Sequence, residues 1–401
     1  MKFTFSKILA LLMVLCMLCS LVACNNTPAD NNQPPVNDGG NDQSEEPSFD
    51  FGDLTSPTGK IKNVIFIIGD GMGKNHIEAG VLDKGSEYGF MSWQRVDVNT
   101  DSRDKTTGEL TLTDSAASAT ALATGTLTVN SYVGKNPGGE SLVTIMDLAK
   151  HLGKATGVLT TDYLYGATPA GFSAHALDRD DKKTITKTQL LSGINFLGGL
   201  NASVYEQSMY KTMIESSPYY FAQTLDDSSI MDKEQVMLAL DIENGKDNSV
   251  SLSDATKTAL SYLEKDEDGF MLMIEQAYID KESHNNEIDD MISRMHSLGE
   301  TVETVMEWVG DRDDTVVLVS ADHETGGLSV SKTENLGKTY AGNSGNFYYK
   351  WESDDHTQSY VSLYVYGTTE TFYVHETFKD GTLIKNVDIF AIMKRLVTTG
   401  E

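Results

Sequence analysis

Cysteine is all but missing from this 401-residue chain, and the three present, Cys16, Cys19 and Cys24, crowd into its first 24 positions. The rest of the sequence can form no disulfide and no thiolate metal site, so any metal must be held by Asp, Glu, His and hydroxyl groups. Positive charge is also scarce. Lys and Arg number 31 against 59 Asp and Glu, for a formal net charge of −28. That balance argues against a nucleic-acid-binding surface. It does not exclude phosphate esters, provided the positive charge is local and comes from bound cations or a placed Arg. Long apolar runs are lacking too. The candidate Ile8–Val22 is too short to span a bilayer comfortably. It follows Lys2 and Lys7 and leads into Leu21-Val22-Ala23-Cys24, which resembles a bacterial lipobox.

Residues 1–23 therefore read as a lipoprotein signal peptide, with a plain secretory signal as the alternative. Cys24 becomes the lipidated first residue, which makes the chain extracytoplasmic and anchored to the bacterial cell membrane. Residues 24–60 are rich in Asn, Asp, Pro, Gly, Ser and Glu and cannot bury a core, so they read as a disordered tether. Residues 61–401 are the expected folded domain. There, apolar runs such as Asn63–Ile68, Ala155–Thr160, Phe270–Ile274, Thr315–Val319 and Val361–Tyr366 read as strands. Helical patterns alternate with them. In Ile288–Val309, Ile288, Ile292, Met295, Leu298, Val302, Val305 and Val309 fall on one face. Ser141–Leu152, Asp254–Leu263 and Asp388–Val397 read similarly. This alternation predicts an α/β sandwich with a largely parallel sheet, whose ligands collect at the carboxyl ends of the strands. Residues 181–250 follow the pattern poorly and are expected to form a peripheral insertion.

The most informative stretch is Thr111–Gly125, TLTDSAASATALATG. A capping Asp or Ser, an Ala-rich run and a closing Gly predict a helix. Its N-terminus, at Ser115, is suited to an anion. Several strand ends carry hard O/N ligands. Asn63–Ile68 runs into Gly69-Asp70-Gly71. Phe270–Ile274 runs into Glu275 and then Asp280 and His284, whose spacing of four puts both on one helical face. Thr315–Val319 runs towards Asp322 and His323, and His356 precedes Val361–Tyr366. Each cluster alone has a bland reading as a cap, a turn or a solvated pair. Their repetition at successive strand ends does not.

These blocks, NVIFIIGDGMG (63–73), TLTDSAASATALATG (111–125), ATPAGFSAHALDR (167–179), FMLMIEQAYIDKESH (270–284), TVVLVSADHETGG (315–327) and DDHTQSYVSLYVYG (354–367), resemble those of the alkaline phosphatase family and occur in its order. The resemblance implies a three-layer α/β/α sandwich and hydrolysis of phosphate monoesters through a phosphoserine intermediate on Ser115. It implies two Zn2+ ions, one on Asp280, His284 and His356, the other on Asp70, Asp322, His323 and Ser115. A Mg2+ ion would share Asp70 and add Thr168 and Glu275. Arg179 would bind phosphate, oriented by Asp114, and Lys281 would contact phosphate through water. The expected partners are small phosphorylated substrates and the membrane, with a homodimer left open. His76, His151, His175, His296 and His375 have no assignment and read as structural or solvated.

One position departs from the family pattern. Two residues before Thr168 the family carries an Asp or His, and this chain has Gly166. The expectation is a looser, more hydrated magnesium site and a Lys281 without its usual carboxylate partner. Other hydrolases of the same superfamily, such as phosphodiesterases or sulfatases, share much of this frame. Ser at 115 together with Arg179 favours monoesters over them. A non-catalytic lipoprotein that binds phosphorylated ligands would have little need for both Ser115 and a full ligand set.

Overall fold

Strand β1, Asn63–Gly69, is buried at every residue. An unbroken apolar run of this kind belongs in the middle of a parallel sheet covered on both faces. In the computed structural model, which describes residues 48–200, 208–240, 242–243, 250–367 and 383–401, it lies there. The signal segment, Cys24, most of the tether and His375 fall outside the described residues. From Phe49 onward the chain touches the domain: Phe51 stacks on His151 at 4.2 Å.

In chain order the other strands of the sheet are β2 (Gln94–Asn99), β3 (Ala155–Tyr163), β4 (Phe196–Leu200), β5 (Tyr220–Ala222), β6 (Val236–Leu240), β7 (Phe270–Gln276), β8 (Thr315–Ser320), β9 (Val361–Tyr366) and β10 (Leu383–Lys385). They form one 10-stranded sheet in the order β10-β2-β9-β8-β1-β7-β3-β4-β6-β5. Strand β1 pairs in parallel with β8 and β7, β7 with β3, and β3 with β4. Strand β9 runs against its neighbours on both sides. The carboxyl ends of β1, β7, β3 and β8 thus open on one edge, and the residues after them share a neighbourhood.

The helices pack in two groups. Helix α1 (Lys74–Lys84), α6 (Leu252–Leu263) and α7 (Tyr278–His284) each pack on α8 (Ile288–Val309). Helix α2 (Ser115–Thr124), α3 (Ile145–His151), α4 (Ala167–Ser173) and α9 (Asn386–Thr399) form the second group, and α5 (Lys182–Leu191) packs on α4. The apolar stripe expected on α8 is buried along its length, from Ile288 through Leu298 to Val309. Helix α2 is buried at every position. A wholly buried helix in a polar-rich sequence needs small side chains, and α2 consists of Ala, Ser, Thr and one Leu. A Cβ on Gly171 of α4 would lie 2.6 Å from the Ala119 Cβ, so glycine is what lets α4 approach α2.

One expectation is refined. The described residues of 181–250 are peripheral as the outer edge of the central sheet, not as an element outside it: β4, β6 and β5 extend the sheet in parallel from β3. Their periodicity is obscured because β4 (FLGGL) carries two glycines, where other strands carry branched residues.

Candidate metal and phosphate site

At the end of β1, Gly71 adopts φ +71°, and a Cβ there would lie 2.8 Å from the Asp280 Cα. The glycine turn thus brings Asp70 against the start of α7. Gly71 N–H also donates to Asp322 Oδ1 at 3.1 Å, tying the β1 turn to the β8 turn. Asp70 is buried, and its Oδ2 lies 3.4 Å from Thr168 Oγ1.

Asp280 and His284 occupy one face of α7, as their spacing predicts, with Asp280 Oδ1 3.3 Å from His284 Nε2. His356 comes from a two-residue strand, His356–Thr357, paired with Glu324–Thr325 just beyond β8. Its Nε2 lies 3.6 Å from Asp280 Oδ1 and 3.2 Å from His284 Nε2. Asp322 and His323 turn inward together, His323 Nε2 being 3.3 Å from Asp322 Oδ2 and 3.5 Å from Asp70 Oδ1. Ser115 Oγ lies 3.2 Å from the same His323 nitrogen. Two groups of ligand atoms, each within 4.8 Å of one another, result: Asp280, His284 and His356, and Asp70, Asp280 and His323. Asp280 belongs to both.

The three histidines are oriented alike. His284 Nδ1 donates to the Asp354 carbonyl at 2.6 Å and His356 Nδ1 to the Thr113 carbonyl at 2.8 Å. The Thr325 hydroxyl donates to Asp280 Oδ1 at 2.5 Å, which leaves it to accept from His323 Nδ1 at 3.3 Å. With Nδ1 engaged, every Nε2 faces the carboxylates, the arrangement that presents imidazole lone pairs to a cation.

Electrostatics show that these groups want a cation. Asp70 Oδ1 and Asp322 Oδ2 are buried without a hydrogen-bond partner. Burial and the neighbouring Asp322, Asp280 and Glu275 push the Asp70 carboxyl well above its ordinary range. Burial, with Asp162 nearby, pushes Glu275 up to about 8, and burial with Asp280 raises Asp322 to about 6. Burial and His356 hold His323 below its usual range. Its hydrogen bond to Asp280 raises His284 to about 9. A dense set of acids that protein donors leave unsatisfied fits divalent cations. Carboxylate, imidazole and hydroxyl donors without thiolate suit zinc and magnesium.

The phosphate side is built on α2. Asp114 is its N-cap, accepting from Ala117 N–H at 2.9 Å through Oδ1. Its Oδ2 accepts from Arg179 Nη1 at 3.1 Å and from Ser131 N–H at 3.0 Å. One carboxylate therefore caps the helix and anchors Arg179.

Lys281 corrects an expectation. It is not without a partner: its Nζ lies 2.5 Å from Asp162 Oδ1, at the end of β3. The family pattern points to position 166 and not to Asp162, whose one local signal is an acid at a strand's carboxyl end. Thr325 carries no sequence signal, since its role in ordering His323 and Asp280 arises only once the β8 turn is folded. The unassigned histidines sit in other contacts. His76 meets Ser283 Oγ at 3.1 Å, and His175 donates to the Leu142 carbonyl at 2.8 Å. His296 lies between Asp83 and Tyr88, 2.9 Å from each, and His151 is the ring stacked on Phe51.

Comparison with known proteins agrees with this geometry. The sequence pattern of the family described as alkaline phosphatase matches residues 61–196 and 233–387. Alkaline phosphatase 3 of Bacillus subtilis is 30% identical over 297 residues, 68% of this chain. The chain spans 63% of that relative's length. Alkaline phosphatase of Escherichia coli is 27% identical over 386 residues, with 76% of this chain and 81% of the relative covered. The solved alkaline phosphatase of the Antarctic bacterium TAB5 superposes with a TM-score of 0.71 at 26% identity, over 86% of this chain and 98% of that one. A His-to-Asp variant of that enzyme holds Mg in its M3 site. With the ligand groups gathered at the carboxyl edge of a matching sheet, this chain belongs to the alkaline phosphatase family.

Proposed function

We propose that this chain hydrolyses phosphate monoesters to alcohol and inorganic phosphate, with Ser115 as nucleophile and a phosphoserine intermediate. The observation that carries the reading is the position of Ser115: it starts a buried helix, 3.2 Å from His323 Nε2, beside an arginine held by Asp114. Asp280, His284 and His356 would hold one zinc ion, and Asp70, Asp322 and His323, with Ser115, a second. Asp70, Thr168 and Glu275 would hold magnesium. When bound, such dications lower the pKa of a coordinated hydroxyl and stabilise the entering and departing oxygens of an in-line displacement.

The chain's own groups do the rest. Arg179 takes two non-bridging phosphate oxygens with its planar fork, and free N–H groups at the start of α2 contribute further donors. Asp114 keeps that fork aimed by accepting from Nη1. Ser115 Oγ gives up its proton and forms its bond to phosphorus as the ester oxygen leaves with the electrons of the P–O bond and takes a proton from water to depart as the alcohol. Water then cleaves the phosphoserine and regenerates the hydroxyl.

A metal analysis coupled to p-nitrophenyl phosphate turnover tests this. Wild type with zinc and magnesium should turn over, and Ser115→Ala should not. Phosphate trapped on Ser115 at acidic pH would support the intermediate, whereas a Ser115→Ala variant as active as wild type would refute it. Faster turnover of a diester than of a monoester would favour the phosphodiesterase alternative.

We also propose that the protein is tethered to the membrane through a lipid on Cys24, supported by the Leu21–Cys24 sequence. No helix among the described residues is long and apolar enough to cross a membrane. Labelling with a radioactive fatty acid, lost in Cys24→Ser, would test the anchor.

A further inference from the structure

The pairing of β3 with β4 is regular from Gly157–Phe196 to Leu159–Gly198 and then shifts, so that Tyr163 pairs with Leu200. Extra residues are accommodated on β3 between Leu159 and Tyr163, and such a bulge re-aims side chains at a strand's end. Asp162 lies within it. Opposite the bulge is Gly199, where a Cβ would lie 2.9 Å from the Asp162 carbonyl oxygen. The glycine makes room for the bulged backbone.

The bulge gives Asp162 two contacts. Oδ1 pairs with Lys281 Nζ at 2.5 Å, and the Asp162 side chain is 18% exposed, so the pair is partly shielded from water. Oδ2 faces Gly166, where a Cβ would stand 2.6 Å away. The carboxylate thus fills the space that a side chain at 166 would enter. Asp162 is also tied to the third cation site through its backbone. Its N–H donates to Thr160 Oγ1 at 2.8 Å, and the Thr160 hydroxyl donates to Glu275 Oε2. Glu275 is paired in register with Thr160 across β7 and β3.

We propose that Asp162 is a positioning residue for the third cation and a restraint on Lys281 at the phosphate. From the bulge of β3 it supplies the carboxylate that position 166 lacks, holding Lys281 and lining the site formed by Asp70, Thr168 and Glu275. The proposal rests on the phosphatase reading for its ligands, phosphate and a divalent cation. Two electrostatic consequences follow. Removing the negative charge at 162 weakens cation binding. It also releases Lys281 from its partner, so the ammonium charge acts more fully on bound phosphate.

The test uses the full chain loaded with zinc. Magnesium binding is followed by equilibrium dialysis and inorganic phosphate binding by calorimetry, for wild type, Asp162→Asn, Asp162→Ala, Lys281→Ala and the Asp162→Asn/Lys281→Ala double variant. The Asn variant keeps shape and loses charge, which separates positioning from folding. The magnesium Kd should rise about 10-fold or more in Asp162→Asn, the scale on which outer partners of metal ligands act. The phosphate Kd should fall in Asp162→Asn, and the same change made on Lys281→Ala should leave it unmoved. An unchanged magnesium Kd in both Asp162 variants would overturn the proposal. So would a phosphate shift that persists without Lys281. Both readouts are binding constants, so absence of turnover in wild type would count against the phosphatase reading and leave this comparison standing.

Discussion

Asp114 is asked to do two things with one carboxylate. Oδ1 closes the first turn of α2, and Oδ2 holds Arg179. Substitution can separate them. Asp114→Asn keeps a capping oxygen and loses the charge opposite Arg179, so its Tm should change little while its KM for p-nitrophenyl phosphate rises. Asp114→Ala loses the cap as well, at about 1 kcal/mol of stability. Thermal melts beside steady-state kinetics check this, and equal losses of Tm in both variants would show that the cap depends on the charge. At Arg179 itself, replacement by Ala should lower kcat/KM by roughly 10²–10³, the scale for losing a placed donor at developing negative charge. Arg179→Lys should recover only part of that, because an ammonium cannot engage two oxygens as a planar fork does.

At the scale of elements, the nucleophile is placed by helix packing. Helix α2 owes its depth to small side chains, and the contact between Ala119 and Gly171 sets its distance from α4. In an exposed helix Gly→Ala is favourable. Here the new methyl would meet the Ala119 Cβ at 2.6 Å and the Ala119 carbonyl carbon at 2.9 Å, and backbone cannot yield as a flexible side chain does. Gly171→Ala should therefore lose about 1–3 kcal/mol to overpacking. It should also lower kcat, because α2 carries Ser115 and α4 carries Thr168. Calorimetry and turnover measured together check this, and a stabilised, fully active variant would refute it. The β-strands contribute differently. Strands β1, β7 and β8 end side by side because they pair in parallel and in register, which brings Gly69 opposite Gln276 and Ile68 opposite Ser320.

For the whole molecule, the collected charge makes stability depend on bound cations and on pH. In chelated protein Glu275 titrates near 8 when folded against an ordinary 4.5, and His284 near 9 against 6.5. Between the unfolded and folded values the native state binds more protons than the unfolded chain, so stability falls as pH rises. His323 and His76 act with the opposite sign, but only below their ordinary 6.5. From about pH 6.5 to about pH 9 the chelated protein should therefore lose Tm with rising pH. Cations displace the same protons and remove that penalty. The gap in Tm between metal-loaded and chelated protein should widen across this range, with proton release on reloading near pH 7 measurable in buffers of different ionisation enthalpy. A constant gap would refute this account.

What the linear chain determined by itself was local. The capped Ala-rich helix at Ser115, the stripe on Ile288–Val309, the apolar strands and the pairing of Asp280 with His284 on one helical turn follow from spacing and from backbone preference. Family resemblance then assembled the distant ligands into sites, which spacing could not do. Tertiary structure alone decided the rest. The edge strands within 181–250 were illegible because glycine-rich β4 has no side-chain alternation, and its parallel partners identify it only once the sheet is formed. The tautomers of His284 and His356 depend on carbonyls far away in sequence, at Asp354 and Thr113. Gly166 looked like a lost carboxylate because a motif records side chains by position. The folded chain places carboxylates by geometry, and a bulge in β3 delivers Asp162 to the space that Gly166 leaves open.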